Sequence, residues 1–350
     1  MIQLREAVST DNAGLLNLTS LLPMEGRISI RIDRNPDFFQ LLNQRGPSKL
    51  FVAESEGNII GCLSVSMMNI FINGNPDIVH YLADLKIHPS YLGTTLTSRL
   101  LYMMFNYLRT IKSDLVFSTA AFGNEKVMSL FEGRIGLPKF QCIGAFKVYQ
   151  IIPFLKKISS QTYTIDEIPL NDKIISFYTR FLKKYQFSPL LNEADLQGVR
   201  NLVAMQNNDM KASISLIDMG GSKQNVLIRL PRMLNLLVSI LRKFNKLIKF
   251  LNLPEFNTPI KIMYIKVLAC KEGCEDALDL LINQARTICF KEKYCFLSVG
   301  IHEKDPLTSF FRQYLHFTFN SLGFIASLSN DDEKIQIGTT GIAYEDYSLI

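Results

Sequence analysis

The stretch from Tyr81 to Leu101 holds the residues best suited to chemistry. A strand through Ile87 ends at Pro89, and the following loop opens a helix. The first turn of a helix has unbonded N–H groups and the positive end of the macrodipole, so such a junction can hold a pyrophosphate. Gly93 lets the backbone approach closely, and Thr94, Thr95 and Thr97 add hydroxyl donors beside Leu92 and Leu96. An ordinary strand-to-helix connection with threonine caps would look the same. Along the strand, His80, Asp84 and His88 recur at even spacing, which puts them on one side with Leu82 and Lys86. A carboxylate or neutral imidazole there is a candidate base if it reaches the proton directly or through one water. Asp84 and His80 are the candidates for that role; a salt-bridged strand carboxylate and a surface histidine are the plain alternatives.

The elements that must position these residues follow from periodicity and turn chemistry. Residues 2–7 read as a strand, 12–22 as a helix, and Asn35-Pro36 starts a second helix that Gly46-Pro47 ends. Three strands at 49–54, 59–70 and 77–87 are joined by Glu56-Gly57-Asn58 and Asn73-Gly74. From 94 to 112, Leu96, Leu100, Leu101, Met104, Phe105, Leu108 and Ile111 recur at helical spacing. A strand at 115–120, a short helix at 124–133 and a closing strand at 140–151 complete this half. The result is an α/β fold, a mixed central sheet with helices on both faces.

Pro153 and residues 156–160 read as a linker, which divides the chain into units 1–152 and 161–350. The second unit shows strands at 163–168, 202–205, 211–217, 260–269 and 294–301, and helices at 275–290 and 306–315. Leu322-Gly323-Phe324 leads into its last strand. Each half thus ends strand, helix, strand, helix, glycine, strand, an internal duplication.

The chain has 350 residues, with 38 Lys and Arg against 32 Asp and Glu, a net charge of +6. That mild excess suits an anionic ligand but lacks the basic stripe expected of a nucleic-acid binder. With 47% hydrophobic and 20% charged residues, disordered and fibrous classes are excluded. Six cysteines, of which Cys270 and Cys274 are the closest pair, make neither a disulfide framework nor a zinc site, and no metal is expected. The opening MIQLREAVSTDNAG is charged where a secretory signal needs an apolar core, so a reduced, cytoplasmic protein is expected. Residues 230–251 are very apolar, but Arg232, Arg242, Lys243, Lys246 and Lys249 interrupt them and argue against spanning a membrane. A basic amphipathic helix lying on a membrane surface stands beside the plainer reading of a helix packed on its own domain.

The order of elements and the loop residues together resemble the GCN5-related N-acetyltransferase (GNAT) family. Its strand pattern Leu-x-Val-x-Pro is matched by Leu85-Lys86-Ile87-His88-Pro89. Of its loop Tyr-Arg-Gly-x-Gly-x-Gly, the chain keeps Tyr91 and Gly93, while Leu92, Thr95 and Thr97 replace the arginine and two glycines. Its second signature, Asn-x-x-Ala-x-x-Leu-Tyr, is echoed from Asn124 to Phe131. The resemblance covers nearly all of residues 1–150 and implies the acyl-CoA N-acyltransferase fold in two tandem copies, the second degenerate.

It further implies acetyl transfer from acetyl-CoA to a primary amine of a small molecule or peptide. The pyrophosphate would sit on the amides of residues 92–97, Asn124 would contact the pantetheine arm, and the backbone at Leu85 and Ile87 would polarise the thioester carbonyl. Phe131 stands where the family often has its tyrosine acid, which leaves Tyr91 and Tyr149 as candidates. The loop from Cys270 to Asp276 carries three carboxylates at a helix start, which would repel a pyrophosphate. Two rival readings stay open: a GNAT-fold module that binds CoA without catalysis, and an acyltransferase acting at a membrane surface.

Overall fold

The computed structural model describes residues 1–24, 28–124, 128–133, 137–157, 159–248, 251–329 and 332–350. The first half contains strands β1 (Gln3–Glu6), β2 (Ser29–Asp33), β3 (Ser48–Ser55), β4 (Asn58–Ile72), β5 (Asn75–Ile87), β6 (Leu115–Ala121) and β7 (Gln141–Ile151). Its helices are α1 (Asn12–Ser20), α2 (Phe39–Arg45) and α3 (Leu96–Thr110). The second half begins with β8 (Thr164–Ile168), α4 (Asp172–Leu182), β9 (Ser188–Pro189), β10 (Arg200–Gln206), β11 (Asp209–Asp218), β12 (Gln224–Arg229) and α5 (Arg232–Ile248). It continues through β13 (Pro259–Ile260), β14 (Ile262–Cys270), α6 (Glu275–Lys291), β15 (Phe296–His302), α7 (Leu307–Phe311), β16 (His316–Ser327) and α8 (Asp332–Thr340).

Local chemistry accounts for the elements around the loop. Strands β4 and β5 meet at Asn73-Gly74, both left-handed with φ of 50° and 74°, the two-residue turn whose twist suits an antiparallel pair. Helix α3 buries the expected stripe Leu96, Leu100, Leu101, Met104, Phe105 and Leu108 against β3, β4 and β5. Ile111, expected in that stripe, lies past the helix end and is 42% exposed. On the opposite face, Leu15 and Leu18 of α1 and Leu42 of α2 cover Leu50, Val52 and Cys62. In the second half α6 covers one face of the sheet, and α4 buries Ile174, Tyr178 and Leu182 on the other.

One continuous sheet joins the halves, in the order β1-β3-β4-β5-β6-β16-β7-β15-β14-β11-β10-β8, with β9 beside β4. Its parallel neighbours are β5 with β6 and β14 with β15, each pair connected by a helix, α3 or α6. The strand read as closing the first half, β7, does not lie beside β6. It pairs with β15 and β16, while β16 from the far end of the chain takes the place next to β6. Each half is therefore completed by a strand from the other. Pairing between distant segments is decided by how two faces fit, which local patterning does not encode.

Five elements escape the sequence reading, among them β9 and β12. The five-residue β2 pairs with β12, more than 190 residues away, in a small separate sheet, so no hairpin signal marks it. Helix α4 does carry a signal: Asn171 caps it by accepting from the amides of Lys173 and Ile174, ahead of the Ile174, Tyr178, Leu182 stripe. Helix α8 has no comparable apolar stripe. Of the short helix expected at 124–133, residues 125–127 fall outside the described residues, and Ser129–Phe131 form a single 3-10 turn.

Candidate functional site

After Ile87 the chain makes one 3-10 turn over Pro89–Tyr91, then passes through Gly93 at φ +79° into α3. A side chain at Gly93 would find no atom within 4 Å, and Leu92, Gly93, Thr94 and Thr95 all face solvent. Three amides of the loop are used internally: Leu92 donates to the Pro89 carbonyl, Thr94 to the Tyr91 carbonyl and Leu96 to Thr94 Oγ1. Among the described residues, the amides of Gly93, Thr95, Thr97 and Ser98 have no acceptor. They open at the N-terminus of a 15-residue helix, where the macrodipole adds to their pull on an anion. Leu96 is buried in the core below and anchors the turn.

Beside this loop the sheet divides. Strands β5 and β6 pair only from His80 and Val116 to Leu82 and Ser118. Beyond that rung β5 follows β4 to Ile87, and β6 follows β16 to Ala121, which leaves a wedge between them. Ser118 Oγ donates to the Leu82 carbonyl at 3.0 Å, and the Tyr81 hydroxyl meets Thr119 Oγ1 at 2.9 Å. These contacts close the fork at its base. Asn124 follows β6 on the exposed side, its amide donating to the Ala121 carbonyl at 3.1 Å. Phe131 stacks on Phe324 with ring centroids 4.4 Å apart and packs against Phe140, so it lies partly buried against the core.

The structure corrects the grouping of His80 with Asp84. Asp84 sits in a β-bulge at φ +56°, where the β4–β5 register shifts between Cys62 and Ser64. The extra residue reverses the alternation of faces. Leu82 before the bulge and Leu85 and Ile87 after it all pack toward α3, so His80 faces α3 as Leu82 does. Asp84 instead lies on the Tyr81 face, where Arg45 reaches both: its guanidinium is 5.4 Å from the Tyr81 ring and 2.8 Å from the Asp84 carboxylate. His80 is buried, its Nδ1 paired with Ser113 Oγ at 2.8 Å, and burial lowers its pKa. His88, at the loop, accepts from the Ser90 amide and packs edge-on to Tyr91.

Nor is Asp84 an open base. Its carboxylate, 4% exposed, is held by Arg34 at 2.7 Å, Arg45 at 2.8 Å and Ser64 Oγ at 3.0 Å. Burial alone would raise its pKa, but the two guanidinium groups outweigh that and keep it well below the ordinary carboxylate range. Such a carboxylate is a weak proton acceptor and a firm brace. Tyr149 is also removed from the site: it is 1% exposed in the second half's core and donates to the Thr308 carbonyl at 3.1 Å.

Sequence reasoning missed a polar cluster behind the fork, contributed largely by the second half. The last residues of the chain thread in here, and Arg45 Nε donates to the Leu349 carbonyl at 2.6 Å. Lys223 Nζ donates to the Tyr347 carbonyl at 3.1 Å and lies between the Tyr264 and Tyr347 rings. Burial pulls its pKa down to about 7. Glu345 is 6% exposed, with both carboxylate oxygens unpartnered among the described residues, and burial pushes it up to about 8. Its charge also acts on Tyr81, whose hydroxyl spans the base of the fork. Arg34 keeps two unpartnered buried nitrogens, Nε and Nη1. No local motif marks these residues, since they converge from positions 34, 45, 223 and 345.

The equivalent junction of the second half, between β14 and α6, is built differently. Glu275 accepts from the Gly273 amide at 3.3 Å, and Asp276 accepts from the Ala277 amide, so carboxylates occupy that helix start. Among the described residues, no group of three or more potential metal ligands converges.

A mixed sheet forked beside an amide-lined loop is the acyl-CoA N-acyltransferase fold, and solved structures show the likeness over most of the chain. Saccharomyces cerevisiae N-myristoyltransferase with bound myristoyl-CoA aligns over 93% of this chain and 82% of its own, with a TM-score of 0.61 and 10% identity. A GCN5-related N-acetyltransferase from Anabaena variabilis aligns over 93% of this chain and 72% of its own, with a TM-score of 0.53 and 11% identity. At such identity the likeness is one of fold. No curated protein matches the sequence. Residues 18–136 match the family model described as the acetyltransferase (GNAT) family.

Proposed function

We propose that this chain is an acyl-CoA-dependent N-acyltransferase that moves an acetyl group from acetyl-CoA to a primary amine of a small molecule or peptide. The observation that carries this reading is the fork between β5 and β6 opening directly beside four unbonded amides at the start of α3. The pyrophosphate rests on Gly93, Thr95, Thr97 and Ser98, and the pantetheine arm runs into the wedge past Asn124. The thioester carbonyl lies against the backbone of Leu85 and Ile87. The amine nitrogen attacks the carbonyl carbon, the C–N bond forms, the C–S bond breaks, and the thiolate leaves with a proton.

An ammonium must first lose a proton, and Glu345 is the carboxylate suited to take it. It is unpaired and buried, and with its pKa raised to about 8 its ionised form, which grows as pH rises to that value, is a strong acceptor, whereas Asp84 is committed to two arginines. Asp84 then serves as a positioning residue that holds the bulge. Because the yeast N-myristoyltransferase holds a long acyl chain, acyl length belongs in the test.

Calorimetric titration with acetyl-CoA, followed by thiol release across a panel of primary amines and acetyl, octanoyl and myristoyl donors, tests the proposal. Binding with amine-dependent thiol release is expected. Absence of binding at millimolar acyl-CoA would overturn it. Binding without release from any donor and amine would favour a non-catalytic module, a reading that draws on the aromatic stack of Phe131 with Phe324.

A further inference from the structure

Helix α5 leaves a strip of apolar side chains in water. Met233 is 86% exposed, Leu236 63% and Ile240 44%, and their spacing of three and then four residues sets them on one face. Leu234, Val238 and Leu241 are partly buried, so the helix rests on the protein by a different arc of the same wide apolar face. The following loop holds it there: Arg242 donates to the Pro254 carbonyl and sits over the Phe256 ring. No sequence position of α5 is acidic, while Arg232, Arg242, Lys243 and Lys246 are basic. Arg232 and Lys243 are exposed, and among the described residues neither has an ion-pair partner. On a helical projection they border the exposed strip.

The strip has neighbours. Strand β2 pairs with β12, and Ser29 lies opposite Arg229, so exposed Ile28 falls beside the entry to α5, with exposed Met24 bridged to Ile30 close by. Exposed Arg229 adds a further cation at this corner. Among the described residues no helix is long and apolar enough to cross a membrane.

We infer that this face is a docking surface for an anionic lipid bilayer. Apolar side chains standing in water beside unpaired cations, with no carboxylate among them, match a headgroup layer: hydrocarbon takes Met233, Leu236 and Ile240, and lipid phosphates and carboxylates take Arg232 and Lys243. A protein interface would deplete lysine at its core and call for acidic partners or paired charges. The inference stands on α5 and the corner beside it and does not depend on acyl transfer.

Co-sedimentation of the full chain with phosphatidylcholine vesicles, with and without about 30 mol% phosphatidylserine, tests it. The chain should pellet with the anionic vesicles, stay in solution with the neutral ones, and be released by about 0.5 M salt. Met233→Ser/Leu236→Ser/Ile240→Ser should cut the pelleted fraction about fivefold or more, and Arg232→Gln/Lys243→Gln should weaken binding and its salt dependence. These side chains are exposed, so thermal unfolding should be unchanged in both variants, and Leu236→Asn alone serves as a milder probe. No pelleting with anionic vesicles, or equal pelleting of wild type and triple variant, would overturn the inference. So would a concentration-dependent dimer that the triple variant abolishes in the absence of lipid binding.

Discussion

Arg45 and Asp84 lie 39 residues apart in sequence, yet their guanidinium and carboxylate meet at 2.8 Å with the pair almost fully buried. With Arg34 on the other carboxylate oxygen, the bulge that aims β5 at the fork is held by one anion between two cations. Asp84→Asn leaves both arginines buried without a counter-charge, and the expected cost is ~3–5 kcal/mol in urea unfolding at neutral pH. Because the Asp84 pKa is depressed in the fold, its contribution is complete above the ordinary carboxylate range and drains away as pH falls toward the lowered value. The variant should therefore show a flatter acid limb. An unchanged midpoint would mean the ion cluster does not brace the bulge.

The loop offers a test in which binding and stability move apart. Thr97 lies in the first turn of α3 beside the unbonded amides. Thr97→Glu places a negative charge where the helix dipole welcomes it, worth about 0.3–1 kcal/mol, so unfolding should be unchanged or slightly shifted upward. The same charge faces any bound pyrophosphate, and CoA affinity in calorimetry should fall about tenfold or more. Equal affinity in the variant would place the phosphates elsewhere.

Glu345 titrates in the opposite sense to Asp84. Its pKa is raised by burial to about 8, so between the ordinary carboxylate value and about 8 the folded chain holds a proton that the unfolded chain has lost. Stability should decline as pH rises across that window. Lys223, lowered to about 7, acts against this decline above neutrality. Glu345→Gln keeps the shape and removes the titration, and its melting temperature should vary less between about pH 5 and 8. If Glu345 also accepts the amine proton, thiol release should fall by about 10²–10⁴-fold while CoA binding is preserved. Loss of CoA affinity in the variant would assign Glu345 to the structure of the cofactor side instead.

The exchange of closing strands makes the halves interdependent. A fragment ending at residue 157 keeps β6 and β7 but lacks β16 between them. It should show no cooperative unfolding transition by circular dichroism, and co-expression with residues 159–350 should restore a soluble complex. A cooperative transition in the isolated fragment would show that β6 and β7 can close on each other.

Much of the scaffold was legible because its cues are local. The apolar stripe of α3, the turn at Asn73-Gly74 and the strand–loop–helix around Gly93 each declare themselves within a few residues, where backbone sterics and side-chain periodicity decide the outcome. The loop that carries the unbonded amides could be located for the same reason. The role of Asp84 could not be read that way. Period-two alternation put it beside His80, and a single bulged residue moved it to the other face.

By itself, then, the sequence determined the mixed α/β architecture, the order of strands and helices around the loop and the helix start that follows Gly93. Tertiary structure alone decided that β7 and β16 trade places, that Asp84 is spent between Arg34 and Arg45, and that Glu345 stands unpaired behind the fork. Helices and turns form from interactions a few residues apart. Strand partners and buried charges are chosen by which distant surfaces can bury each other with their polar groups satisfied.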